Sequence, residues 1–244
     1  MIRRIERRPE TEVDPAAWPD SVPAVGQLLT RGLDLPAGVT FLVGENGAGK
    51  STIVEAVAEL LDIPVDGGSS DHRAGADRGR GSDRSNLAGR LRTIRGTGGH
   101  GRTGFFLRAE TMHRFVTYLE DAASIEGIPP APHPLHQVSH GESFVEMLTG
   151  HWVRRAGIVL LDEPESALSF TNTLALADVL GQLAASGKQV LCATHSPLLT
   201  ALPGAQIFQL DDDGITPATW DELEVVRHWQ SFLGAPERYL RHLG

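Results

Sequence analysis

Short, mostly apolar runs recur along this chain and are separated by segments with helical spacing. Val39–Val43, Phe105–Leu107, Ile158–Leu161, Gln189–Ala193 and Ile207–Leu210 read as buried strands. Between them, Ile53, Val54, Val57, Leu60 and Leu61 recur at helical intervals, as do Met112, Phe115, Val116 and Leu119. A further helix is predicted from about Gly141 to Arg155, with Phe144, Leu148 and Trp152 on one face, and another around Leu174 to Leu183. Pro64 stops the first helix soon after Asp62. Asp211-Asp212-Asp213-Gly214 reads as a turn, and Thr219-Trp220-Asp221-Glu222 as a capping box that opens the last helices. Residues 1–37 mix Pro with short apolar pieces and lead through a turn into the first strand. Strands apolar on both faces, alternating with helices, predict an α/β fold with a mostly parallel sheet flanked by helices.

Composition refines this picture. At 244 residues and 41% hydrophobic, the chain can bury a sizeable core and is too apolar to be disordered. One domain over 1–244 is expected. Its 27 glycines are unevenly spread: eleven lie between Asp66 and Gly104. The same region is rich in Arg and nearly free of apolar residues between Gly67 and Asn86, so 62–104 is expected to be a flexible Gly/Arg-rich insertion. Residues 105–156 would form a helical subdomain, interrupted by Pro129, Pro130, Pro132 and Pro134.

The net charge of −9 argues against a surface devoted wholly to nucleic acid. From Asp66 to Arg108 the local balance is +5, which leaves −14 for the rest. That basic stretch reads as a solvated loop or a phosphate-backbone contact; no aromatic residue interleaves with its arginines between Arg73 and Arg102. Cys192 is the single cysteine, in an apolar run that predicts a buried, inert thiol. No apolar run approaches the ~18 residues needed to cross a bilayer, and the first residues lack an apolar signal core. A cytoplasmic location is expected. His133, His136 and His140 do not read as a zinc site, because prolines interrupt them and no Cys assists.

The chemistry concentrates in two places. Gly44-Glu45-Asn46-Gly47-Ala48-Gly49-Lys50-Ser51 matches G-x-x-x-x-G-K-[ST] between a predicted strand and a predicted helix. Its glycines let the backbone N–H groups curl around phosphate oxygens, and the helix directs its positive end at the same point. Lys50 would reach the β- and γ-phosphates of ATP, Ser51 would hold Mg²⁺, and Thr52 would lie near the α-phosphate. Lys50 is one of only two lysines in an arginine-dominated chain, as expected where a compact ammonium is needed. The second place is Ile158-Val159-Leu160-Leu161-Asp162-Glu163-Pro164, a buried strand that delivers two acids to the sheet's ligand edge. Asp162 would support the Mg²⁺ shell, and Glu163 would orient and deprotonate an attacking water.

Asp162-Glu163-Pro164, Ser166-Ala167-Leu168 and Ala193-Thr194-His195-Ser196 resemble the Walker B, D-loop and switch-histidine segments of ABC-type ATPases. Val138-Ser139-His140-Gly141-Glu142, 20 residues before Asp162, resembles the ABC signature. The resemblance spans about residues 38–210 and implies a P-loop NTPase fold of the ABC type with a helical signature subdomain. It further implies two copies clasping ATP head to tail, with Ser139 reaching the γ-phosphate in trans, Gly141 allowing close backbone approach, and His195 coupling closure to hydrolysis. Three departures stand out. His140 and Glu142 replace a Gly and a Gln of the signature, Glu110 occupies the place of the Q-loop glutamine as a candidate Mg²⁺ ligand, and Trp18 is the candidate for stacking on adenine, equally readable as a core or surface residue.

Asp-Glu-Pro-Glu after the strand and His in the signature look more like the stand-alone soluble branch, catalogued as AAA-family ATPases. The expected function is a soluble ATPase, a homodimer when ATP is bound, whose cycle acts on a protein or nucleic-acid partner. Two alternatives remain: the nucleotide-binding subunit of a membrane transporter, reaching the membrane only through a separate permease, and a nucleotide-switched binding module with negligible turnover.

Overall fold

The computed structural model describes residues 1–65, 68–69, 85–96, 103–109 and 147–241. In chain order its elements begin with β1 (Ile2–Arg7), α1 (Pro23–Arg31), β2 (Leu33–Asp34), β3 (Gly38–Val43), α2 (Lys50–Leu60) and β4 (Gly68–Ser69). Next come α3 (Leu87–Arg90), β5 (Leu91–Arg95), β6 (Gly104–Arg108), α4 (His151–Arg155), β7 (Ile158–Asp162) and α5 (Phe170–Ala185). The chain continues with β8 (Gln189–Thr194), β9 (Gln206–Asp211), β10 (Gly214–Pro217), α6 (Glu224–Gly234) and α7 (Glu237–Leu240). Among the described residues, seven strands form one sheet in the order β10-β9-β3-β8-β7-β6-β4. The five from β9 to β6 run parallel, and β10 and β4 flank them antiparallel. This is the α/β architecture that the apolar pattern predicts.

Register aligns the functional ends of the strands. Val43 pairs with Thr194, Asp162 with Ala193, and Arg108 with Asp162. The phosphate-binding loop, the acidic turn and the His195 segment therefore leave the sheet at the same C-terminal edge, where open α/β sheets bind ligands. Because β8 lies between β3 and β7, His195 emerges between the loop and the acids.

The strands are apolar throughout but divide by alternation, as a pleat requires. Phe41, Phe105, Leu107, Val159, Leu161, Val190 and Cys192 face one core, which is closed by Leu176, Leu180 and Leu183 of α5. Leu42, Phe106, Leu160, Leu191 and Ala193 face the other, which is closed by Ile53, Val54 and Val57 of α2 and by α1. No helix among the described residues is long and apolar enough to cross a membrane.

Three findings correct the sequence-based expectations. The first residues form an antiparallel sheet, β2-β1-β5, with Ile2 and Ile5 buried. Its third strand comes from 85–96, so the segment read as insertion is ordered at its end: Leu87 and Leu91 are fully buried there. The single helix expected over 141–155 breaks at Gly150, whose extended backbone caps α4. The capping box at Thr219 and Glu222 forms but opens a 3₁₀ turn, and α6 follows it.

Gln189 joins the two sheets. It is buried, accepts from Ile2 N at 3.0 Å, and donates to the carbonyls of Ile2, Leu35 and Pro36 at 2.8, 3.3 and 3.0 Å. Gln189→Leu keeps the volume and strands several buried backbone groups, so it is expected to cost about 3 kcal/mol in urea unfolding. The Asp20–Arg90 pair fastens the loop before α1 to α3, with Arg90 donating to both Asp20 oxygens at 2.5 and 2.7 Å. Those hydrogen bonds hold the Asp20 carboxyl below its ordinary range despite burial. A depressed carboxyl contributes stability above the unfolded pKa, ~3.9, and loses it as pH falls through the lower folded value. Asp20→Asn is expected to flatten the acid limb of the stability profile below about pH 4.

Candidate functional site

Local chemistry shapes the loop between β3 and α2. Gly49 takes φ +94° and stands as the N-cap of α2, a left-handed position that L side chains rarely adopt. Gly44 abuts the backbone: a Cβ there would lie 2.4 Å from the Leu210 carbonyl oxygen. Lys50 folds back and donates from Nζ to the carbonyls of Gly44 and Glu45 at 2.8 and 2.9 Å, with its side chain 3% exposed. Glu45, Asn46 and Gly47 form the exposed tip, and Ala48 packs against the α2-side core. Ser51 and Thr52 begin the helix and line the adjoining cavity.

Ser51 Oγ donates to Asp162 Oδ1 at 2.8 Å. Glu163 follows in a left-handed conformation, φ +46°, uncommon for a residue with a side chain. Its Oε1 lies 3.6 Å from Lys50 Nζ and 3.7 Å from His195 Nδ1. The structure thus brings Lys50, Ser51, Asp162, Glu163 and His195 together around one cavity edge. The cavity, about 470 Å³, also takes in Trp18, Thr52, Arg108 and Ser166. Trp18 is 58% exposed at its margin, which excludes the reading of a core tryptophan.

Two family models match parts of the chain. One, described as "AAA domain, putative AbiEii toxin, Type IV TA system", matches residues 131–201, and another, described as "AAA domain", matches residues 27–82. The chain is 29% identical over 235 residues to "Putative ribose/galactose/methyl galactoside import ATP-binding protein 1" of Rhizobium etli, covering 88% of this chain and 41% of that one. It is 27% identical over 161 residues to the zinc import ATP-binding protein ZnuC of Yersinia pestis, covering 66% and 60%. It is 28% identical over 181 residues to the cytochrome c biogenesis ATP-binding export protein CcmA of Rhodospirillum rubrum, covering 72% and 75%. The chain is an ABC-like P-loop ATPase. It spans less than two thirds of the length of the first two of these relatives.

The ATPase's donor set fits Mg²⁺. Ser51 Oγ and Asp162 Oδ1 are hard oxygen donors, hydrogen-bonded at the N-terminus of α2 beside the phosphate loop. Among the described residues there is no cluster of three or more His, Cys, Asp or Glu able to cage a metal. That pattern suits an ion which keeps its waters and binds through one carboxylate and substrate phosphates. Glu110, Ser139 and Gly141, together with His133, His136, His140, Glu142 and the helix expected at Met112–Leu119, lie outside the described residues.

Sequence reasoning passed over Arg108. It ends β6 opposite Asp162, donates from Nε to Asp162 Oδ2 at 2.7 Å, and also pairs with Glu55. Burial works against its charge, but Asp162 and Glu55 outweigh that, and its pKa lies above the usual value for Arg. The signal was an Arg closing an otherwise buried strand, visible only once the register set it against Asp162. Glu165 was also passed over: it reaches Thr194 and the backbone of His195. Cys192 is fully buried, as expected. Its thiol is pushed well above the ordinary range by burial, and further by Glu165 and Asp162.

Arg108→Ala leaves Asp162 and Glu55 without their shared cation. It is expected to cost about 3 kcal/mol in chemical unfolding. Adding Asp162→Asn should recover part of that loss, a coupling that a double-mutant cycle measures.

Proposed function

We propose that this ATPase binds Mg-ATP in the Gly44–Thr52 cradle and hydrolyses it, and that two copies clasp the nucleotide head to tail. The observation that carries this reading is the meeting of Lys50, Glu163 and His195 within 3.6–3.7 Å of one another's polar atoms, beside the Ser51–Asp162 pair. Backbone N–H groups of the loop and Lys50 would hold the β- and γ-phosphates. When bound between Ser51 and Asp162, Mg²⁺ would supply positive charge against the developing phosphate charge. Glu163 would hold the attacking water in line and accept its proton. His195 would contact the γ-phosphate. Ser139 and Gly141 of the second copy would close the site from outside, and Glu110 would approach the metal's water shell. Trp18 at the cavity margin would stack on adenine.

We take the cycle to act on a soluble protein or nucleic-acid partner in the cytoplasm. The Asp162-Glu163-Pro164-Glu165 run and the AAA-domain models support that branch. A second reading, the nucleotide-binding subunit of a transporter working through a separate permease, is favoured by the import and export roles in the relatives' names.

Glu163→Gln is expected to retain ATP with little change in affinity, lose turnover by ~100-fold or more, and accumulate dimers measurable by light scattering. Unchanged turnover would remove the base assignment. Ser139→Arg should leave ATP binding intact and keep the protein monomeric. Fractionation of cells holding the ATP-loaded Glu163→Gln protein separates the two readings: recovery with membranes supports the transporter subunit, and recovery in soluble complexes supports the other.

A further inference from the structure

Glu165 lies in the turn after β7, with its side chain 9% exposed. Its Oε1 accepts from Thr194 Oγ1 at 2.6 Å and from His195 N at 2.9 Å. The direction of these bonds is settled. Ser196 N donates to Thr194 Oγ1 at 2.9 Å, so the Thr194 hydroxyl proton is available for the carboxylate. One carboxylate oxygen therefore joins the turn that carries Glu163 to the strand end that carries His195. Among the described residues, Glu165 Oε2 is buried and has no hydrogen-bond partner.

That second oxygen is informative. A buried carboxylate with an unmet oxygen is a costly way to close a turn, and a glutamine amide would accept the same two bonds without the charge. The turn also holds Glu163 at φ +46°. Conformations of this kind persist only where the surroundings over-determine them. Glu163 N donates to the Ala193 carbonyl at 2.9 Å, and Ser166 N and Oγ donate to the Glu163 carbonyl at 3.1 and 3.0 Å. The Glu165 bridge adds the one tie here that reaches the His195 backbone. His195 Nδ1 then lies 3.7 Å from Glu163 Oε1 and 3.8 Å from Glu165 Oε1, midway between the two carboxylates.

We propose that Glu165 is a positioning residue for hydrolysis, bracing the acidic turn against the end of β8 and setting where His195 stands relative to Glu163. It touches neither nucleotide nor water and acts through those two residues. The inference rests on the reading of Glu163 and His195 given above. With Glu165 in place, His195 is shared between two carboxylates, and Glu163 keeps lone pairs for water. Without it, Glu163 is the remaining carboxylate beside the imidazole, and the strand ends lose their tie.

The test compares wild type, Glu165→Ala, Glu165→Gln and Thr194→Val by steady-state ATP turnover, with His195 amide hydrogen exchange as a readout that needs no hydrolysis. Glu165→Ala is expected to lower kcat by roughly 10–100-fold, in the range seen when a group that orients a functional residue is lost, with the KM for ATP within about twofold. Its His195 amide should exchange at least ~10-fold faster, because its acceptor is gone. Glu165→Gln should recover kcat to within about fivefold of wild type and melt at or above the wild-type temperature, since it removes the unmet charge. Thr194→Val, which loses one of the two bonds, should fall between them, and with Glu165→Gln it decides the matter if Glu165→Ala does not fold. Wild-type turnover in Glu165→Ala, or a loss confined to KM, overturns the proposal. So does a Gln variant no better than Ala. If wild type itself binds ATP without turnover, the hydrolysis reading fails, and unchanged His195 exchange in Glu165→Ala is what would sink the brace.

Discussion

The hydrogen bond from Ser51 to Asp162 ties the first turn of α2 to the end of β7 at 2.8 Å, across 111 residues of sequence. Neither residue can hold its place unless β3, β8 and β7 are in register, because the loop that ends in Ser51 begins at Val43, and Val43 is fixed by its pairing to Thr194. Much of the cavity's geometry follows from that alignment. A one-residue slip in any of the three strands would turn Asp162 to the other face of the sheet. The two apolar cores, sorted by alternate residues along every central strand, are what prevent the slip.

Charge at this edge is arranged in layers. Asp162 gives one oxygen to Ser51 and the other to Arg108, so its carboxylate is oriented by two donors from different elements. Lys50 lies near Glu163 but spends its hydrogen bonds on the loop carbonyls of Gly44 and Glu45. The acids therefore sit beside cations without being bound up by them. That arrangement suits a site that must accept further anionic and cationic charge, because low-dielectric surroundings make every unpaired charge expensive.

Much of this was legible from residue pattern alone, and the limits have physical causes. The Gly44–Ser51 loop is written in consecutive residues, as is the Asp162-Glu163 turn, because each performs its chemistry through local backbone. The central strands were visible because both their faces are buried. β1 and β5 were not, since each buries one face through a few residues and exposes arginines on the other, a pattern easily lost among charged neighbours. Arg108 and Glu165 owe their importance to partners 54 and 29 residues away. Such pairings are consequences of sheet register, which no short motif records.

The position of β3 also bears on how the chain is made. Its two neighbours in the sheet are β8 and β9, and β9 ends at Asp211, so the strand that launches the phosphate loop has no partner until most of the 244 residues exist. An emerging chain can form α1 and α2 early, yet it must keep Val39–Val43, an apolar strand with two open edges, from pairing elsewhere in the meantime. The pairings that complete the sheet are long-range, which slows folding relative to proteins of local contacts. Competence to hold nucleotide is therefore one of the last properties this polypeptide acquires on its way out of the ribosome, and a chain truncated before β9 would expose that strand instead of merely lacking its tail.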